Sequence, residues 1–274
     1  MNQSFRDTAD LLIRCSELRN RLFEAGPGPA RPSGATRDFD AFDGKETFPD
    51  TSDRIIVCCD YWTVVTADQL RSMSIIVDSG IPGFAIYPIM RSVIEHSAWL
   101  CWILDEKCSA LQRISRANLA YLNTAKQRIN TASLIYGRDS EMKNSIRADY
   151  RTFRDEIQRT FANVTLDPMT IEGEALPTPT AVIDHIGAVM GNQAQWKGVY
   201  KFYCEMANHP SLNVAEIIKP GSPGYSAIQV SPETLAQNVK ATIGPYLWSL
   251  HYVCAYLGWP TDPLDLMFAE VADD

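Results

Sequence analysis

The chain is 274 residues long, 46% hydrophobic and 21% charged, with 6 Trp, 11 Tyr and 7 Cys. This is the balance of a globular chain with enough bulky apolar material for a sizeable core, and no apolar run reaches the ~18 residues a membrane span needs. The net charge of −8 argues against general nucleic-acid affinity, but residues 107–159 hold 11 Lys/Arg against 5 Asp/Glu, leaving a local net of +6 in an otherwise acidic protein. Such a segment is a candidate anion-binding surface.

Taken in chain order, the opening Met1-Asn2-Gln3-Ser4-Phe5-Arg6-Asp7 has no basic stretch followed by an apolar one. It therefore reads as lacking a signal peptide, and the expectation is a cytoplasmic protein. Phe5, Ala9, Leu12, Cys15, Leu18, Leu22 and Phe23 recur at helical spacing, predicting an N-terminal helix within 1–25. Gly26-Pro27-Gly28-Pro29 stops it, and the aperiodic stretch to Asp53 reads as a Gly/Pro-rich linker. A second helix is predicted from Arg54 to Val77, with Ser52 or Asp53 as its N-cap. Ser79-Gly80-Ile81-Pro82-Gly83 turns the chain into a third helix, from about Ile86 to Leu104.

Ser109 to Tyr136 predicts a fourth helix closed by Gly137, and Asp139 or Ser140 to Phe161 a fifth. Val164 to Pro177 reads as a loop. Thr178-Pro179 opens a short helix, and another runs from Ala194 to about Asn208, halted by Pro210. Ser231-Pro232-Glu233 starts the last long helix, which ends near Gly258 with a possible kink at Gly244-Pro245, and 261–274 reads as an acidic tail. The expectation is an all-α bundle of seven to eight mostly long antiparallel helices, its main domain spanning 54–260.

The chemistry concentrates in two places. Arg91-Ser92-Val93-Ile94-Glu95-His96 puts an arginine, a carboxylate and an imidazole into an otherwise apolar helix, where a lone buried charge is costly. Arg91 and Glu95, four residues apart, share a face within about 40°, whereas His96 lies about 140° round from Arg91. The helix from Tyr200 to Asn208 carries Glu205 and leads to His209, which would sit at the negative end of the helix dipole. His185 and His251 read as packing residues. A basic stripe, Lys143, Arg147, Arg151 and Arg154, runs along the fifth helix with Tyr150 and Phe153 beside it, and Arg113, Arg116, Lys126 and Arg128 add charge on the fourth. Aromatics next to arginines can stack on nucleobases.

Metal chemistry finds little support: no histidine has an acid three residues before it, there is no H-E-x-x-H, and no cysteines form a C-x-x-C pair. The odd set Cys15, Cys58, Cys59, Cys101, Cys108, Cys204 and Cys254 reads as buried reduced thiols. No nucleophile elbow is present. No metal and no cofactor are expected.

The R-x-x-x-E-H segment at Arg91–His96, followed by Trp99 and Trp102 and then by the Tyr-rich stretch ending in His209, resembles HEPN-like all-α bacterial proteins over about residues 54–257. Arg91-Ser92-x-x-x-His96 is similar to the Arg-polar-x-x-x-His motif of that class, with Ser92 where Asn, Asp or His is usual. The resemblance implies a metal-independent endoribonuclease or RNA-binding effector, in a toxin or defence setting and acting as a homodimer. Arg91, Glu95, His96 and His209 would be its catalytic residues and Lys143, Arg147, Arg151 and Arg154 its RNA contacts. Two other readings stand beside it. One is a non-catalytic helical interaction module with a buried Arg-Glu-His network. The other is a small-molecule pocket walled by Trp99, Trp102 and Tyr203.

Overall fold

The computed structural model describes residues 3–26, 28–42, 53–80, 85–208 and 231–273. Among these residues it has ten helices: α1 (Gln3–Ala25), α2 (Gly34–Phe42), α3 (Asp53–Asp78), α4 (Ile86–Ile103), α5 (Ala110–Tyr136), α6 (Glu141–Thr160), α7 (Pro179–Val189), α8 (Gln193–Asn208), α9 (Pro232–Leu257) and α10 (Asp262–Asp273). The chain is an all-α helical bundle, as its periodicity predicts. The two helices beyond the predicted eight are α2, within the Gly/Pro-rich stretch, and α10, within the acidic tail. Both are short. In α10 the first-turn carboxylates Asp262 and Asp265 favour the helix N-terminus, and Leu264 and Met267 are buried.

The stretch from Val164 to Pro177, expected to be a loop, instead holds a small antiparallel sheet of β1 (Val164–Leu166), β2 (Met169–Ile171) and β3 (Glu174–Ala175), in that order. Val164 pairs with Ile171, and Ile171 with Glu174. Strands of two or three residues are too short for an alternating pattern to show. The second connection, Glu172-Gly173, has φ of 50° and 83°, as the two central residues of a type I′ hairpin require. The Glu172 carboxylate also accepts from the backbone N–H and side-chain amide of Asn163 at 3.0 and 2.9 Å, which holds its pKa below the usual value.

The chain divides into two compact units. The first comprises Met1–Ala35, Cys59–Trp102 and Thr178–Asp274. Here α1 packs against α9 and α10, burying Phe5, Leu12, Cys15, Leu18 and Leu22 on one face. Pro245 lies inside α9 without ending it, and Gly258 closes that helix in the left-handed region with φ 72°. A Cβ at Gly258 would also meet Ala30 and Ser33 at about 3 Å. Gly26 is required for a different reason, because a Cβ there would lie 2.4 Å from the Trp259 indole.

The second unit comprises Thr36–Cys58 and Ile103–Pro177. Its frame is the antiparallel hairpin of α5 and α6. Ser109 and Gln112 form a reciprocal capping box at the start of α5, and the Ser140 side chain accepts from Lys143 N–H at the start of α6. Arg113 is fixed inside this unit rather than on a solvated basic face. Its Nε and Nη2 donate to the two Asp38 oxygens at 2.8 and 2.6 Å, and its Nη1 donates to the Cys108 carbonyl at 2.5 Å. Arg116 and Gln112 both donate to Glu174, at 2.7 and 2.9 Å, tying the sheet to α5.

Candidate functional site

Helix α4 buries Ile86, Met90, Val93, Ile94, Ala98 and Cys101, which turns Arg91, Ser92, Glu95 and His96 to partly accessible positions. Arg91 Nε donates to Glu95 Oε1 at 2.8 Å, with side-chain exposures of 29% and 24%. From α8, the Tyr200 hydroxyl donates to the same Oε1 at 2.5 Å, and the Arg91 guanidinium lies 5.8 Å from the Tyr200 ring centroid. Burial alone would lower the Arg91 pKa, but the hydrogen bond and charge of Glu95 outweigh it and the net shift is upward. Tyr200 is pushed up by burial and by Glu95, so its phenol stays a donor. The terminal nitrogens of Arg91 have no hydrogen-bond partner among the described residues.

The divergence read from helical angles is present in the structure. His96 takes no part in the Arg91–Glu95–Tyr200 group. Its Nδ1 is buried with no hydrogen-bond partner among the described residues, and burial depresses its pKa below 6.5 despite the opposing pull of Glu95. The ring is therefore neutral at pH 7, suited to accepting a proton but not to donating one. His209 lies outside the described residues, so only α8 as far as Asn208 can be placed. Ser92 accepts from Gln69 Nε2 at 2.7 Å, which ties α4 to α3.

The three aromatics considered for a small-molecule wall fall into two groups. Trp99 packs against Trp62 and Trp102, with centroids 6.4 and 5.4 Å away. Tyr203 instead packs against Tyr87 and Phe202, and its hydroxyl donates to the Asn238 carbonyl at 2.9 Å. His251 stacks edge-on against Trp248. All seven cysteines are free thiols and all but Cys204 are buried, which pushes Cys15, Cys58 and Cys254 up to about 12.

The basic stripe is thinner than its spacing suggests. Lys143 is only 7% exposed, and its ammonium donates to the Arg138 carbonyl at 2.7 Å, anchoring the α5–α6 turn. Arg154 pairs with its neighbour Asp155 at 2.8 Å. Arg147 is partly exposed and Arg151 exposed, and neither has a side-chain partner among the described residues.

Within the second unit is a cleft of about 250 Å³ lined by Arg54, Tyr121, Ala125, Arg128, Ile146, Asp149, Tyr150, Phe153 and Glu156. Arg54 forms its cationic wall. That guanidinium donates to Asn118 Oδ1 at 2.5 Å and Glu156 Oε1 at 2.7 Å, and lies 4.3 Å from the Phe153 ring centroid. Tyr121 meets Phe153 edge-to-face at 4.7 Å. The lining balances two cations against two carboxylates, so the cleft is polar and aromatic without being strongly charged. The excess positive charge lies outside it, on Arg147 and Arg151.

Comparison with family models, curated proteins and solved structures finds no match to the chain. The site rests on its own geometry. Tyr150 and Phe153 were legible from the sequence as neighbours of the stripe. Arg54 and Tyr121 were not, since they are remote in sequence and only the packing of the start of α3 and of α5 against α6 brings them to the same cleft. The signal available for Arg54 was its charge directly before the apolar Ile55-Ile56-Val57.

Proposed function

We propose that the chain is a HEPN-like RNA-binding effector whose single-strand contact surface is the α5–α6 hairpin. The observation that carries this reading is the aromatic cleft of Tyr121, Tyr150 and Phe153 with the exposed Arg128 in its lining. A near-neutral cleft does not draw in a phosphate, but it suits a nucleobase. The base stacks on an aromatic face, and Asp149 can accept from an exocyclic amine. A flanking phosphate then meets the exposed Arg128 of the lining. Stacking on an aromatic side chain is worth about 1–3 kcal/mol per base and tolerates any base.

In this reading the Arg91–Glu95–Tyr200 group is structural, linking α4 to α8. A second reading, metal-independent cleavage, draws on the unpartnered Arg91 terminal nitrogens and the neutral His96. The 2′-oxygen would attack phosphorus with His96 taking its proton, the 5′-oxygen would leave with a proton from an acid such as His209, and Arg91 would balance charge on the phosphorane.

One experiment separates the two. A labelled single-stranded RNA is titrated with protein in EDTA by fluorescence anisotropy, and the RNA is then run on a denaturing gel. The binding reading expects saturable anisotropy, intact RNA, and at least tenfold weaker binding for Tyr150→Ala. RNA cut by wild type but left whole by Arg91→Ala supports the cleavage reading. No binding and no cutting would dispose of both.

A further inference from the structure

Between Asp60 and Ser79, every exposed residue of α3 falls on one stripe: Tyr61, Val64, Asp68, Arg71, Ile75 and Asp78. They follow one another in alternating steps of three and four residues, the spacing of a heptad seam. The opposite face is the core face, with Thr63, Thr66, Leu70, Met73, Ser74 and Val77 buried in the first unit. An outward face of a helix is ordinarily polar. Here Tyr61 is 60% exposed, Val64 43% and Ile75 69%. Asp68 and Arg71, between the apolar positions, take part in no side-chain hydrogen bond or salt bridge among the described residues.

We propose that this stripe is a self-complementary seam occupied by the α3 of a second copy of the chain, running antiparallel. The charges choose the direction and the register. In a two-fold symmetric contact, residue i meets j and j meets i. Placing the axis between residues 69 and 70 sets Asp68 opposite Arg71 twice, Val64 opposite Ile75 twice, and Tyr61 opposite Asp78 at each end. Each pair is complementary: two ion pairs at the centre, apolar contacts on either side, and at the ends a phenol that can donate to a carboxylate. A parallel pairing in register would instead put Asp68 on Asp68 and Arg71 on Arg71. The seam from Tyr61 to Asp78 is about 27 Å long at 1.5 Å per residue. Its occupant needs a matching apolar–acidic–basic–apolar order, which this helix itself supplies. The proposal does not depend on RNA binding.

Sedimentation of the 274-residue chain tests it by charge reversal. Wild type is expected to sediment as a dimer. Asp68→Arg alone, or Arg71→Asp alone, places like charges across the axis and is expected to give monomer. An equimolar mixture of the two single variants pairs Arg with Asp at every central position and is expected to restore a dimer, as is the double variant Asp68→Arg/Arg71→Asp. Ile75→Ser, which adds no charge, is expected to raise the dissociation constant at least tenfold, and it keeps the test open should a charge reversal fail to fold. Circular dichroism on each variant establishes that helix content is retained. A monomeric wild type, dimeric single variants, or single variants that stay monomeric when mixed would each overturn the proposal.

Discussion

Replacing Asp38 by Ala should destabilise the protein more than any surface change, and the reason is geometric. Asp38 is 0% exposed and both of its oxygens are held by Arg113, at 2.8 and 2.6 Å. Removing the carboxylate takes the Asp38 counter-charge away from a buried guanidinium. Breaking one side of a buried pair typically costs about 3–5 kcal/mol, most of it the penalty of the stranded charge. At roughly 2–4 °C per kcal/mol for a chain of this size class, the midpoint should fall on the order of 10 °C. Thermal melts followed at 222 nm measure it. The double variant Asp38→Leu/Arg113→Met should recover most of the loss, since an apolar pair of similar volume removes both charges. A drop of less than about 1 kcal/mol for Asp38→Ala would refute the reasoning and show that α2 is not docked on α5 through this pair.

Further outcomes follow from the α4 group. Tyr200→Phe removes a donor to a partly screened carboxylate and should cost about 1–2 kcal/mol by urea titration, whereas an unchanged midpoint would mean that the phenol does not hold Glu95. His96 has a folded pKa below 6.5, so the folded state binds fewer protons than the unfolded chain below that pH. Its stabilising contribution is complete above about pH 6.5 and is lost as pH falls through the folded value. Urea midpoints between pH 8 and pH 5 should therefore decline less steeply in His96→Phe than in wild type, and parallel profiles would contradict the buried neutral ring.

The helices were legible because their signals are local. The spacing of Phe5, Leu12, Cys15 and Leu18, the Ser109 and Ser231 caps and the closing Gly137 and Gly258 act within a few residues. The angular split between Arg91 and His96 was legible for the same reason. Partners distant in the chain were not. Nothing near Arg113 announces Asp38, 75 residues earlier, and nothing near Glu95 announces Tyr200, 105 residues later. The stripe on α6 illustrates the opposite error. Its spacing was right, but the Lys143 charge is committed to the Arg138 carbonyl, a backbone partner that periodicity cannot reveal. The sheet at Val164–Ala175 stayed hidden because its pairing depends on two turns rather than on strand pattern.

The central claim is that a base of single-stranded RNA seats in the cleft between α5 and α6. Photo-crosslinking with a 4-thiouridine-substituted RNA, followed by mass spectrometry of the digested protein, tests it directly. Adducts on the peptides bearing Tyr121 and Tyr150, lost in Tyr150→Ala and competed by unlabelled RNA, are the predicted result. Competable adducts confined to other parts of the chain, or no competable adduct at all, would contradict it.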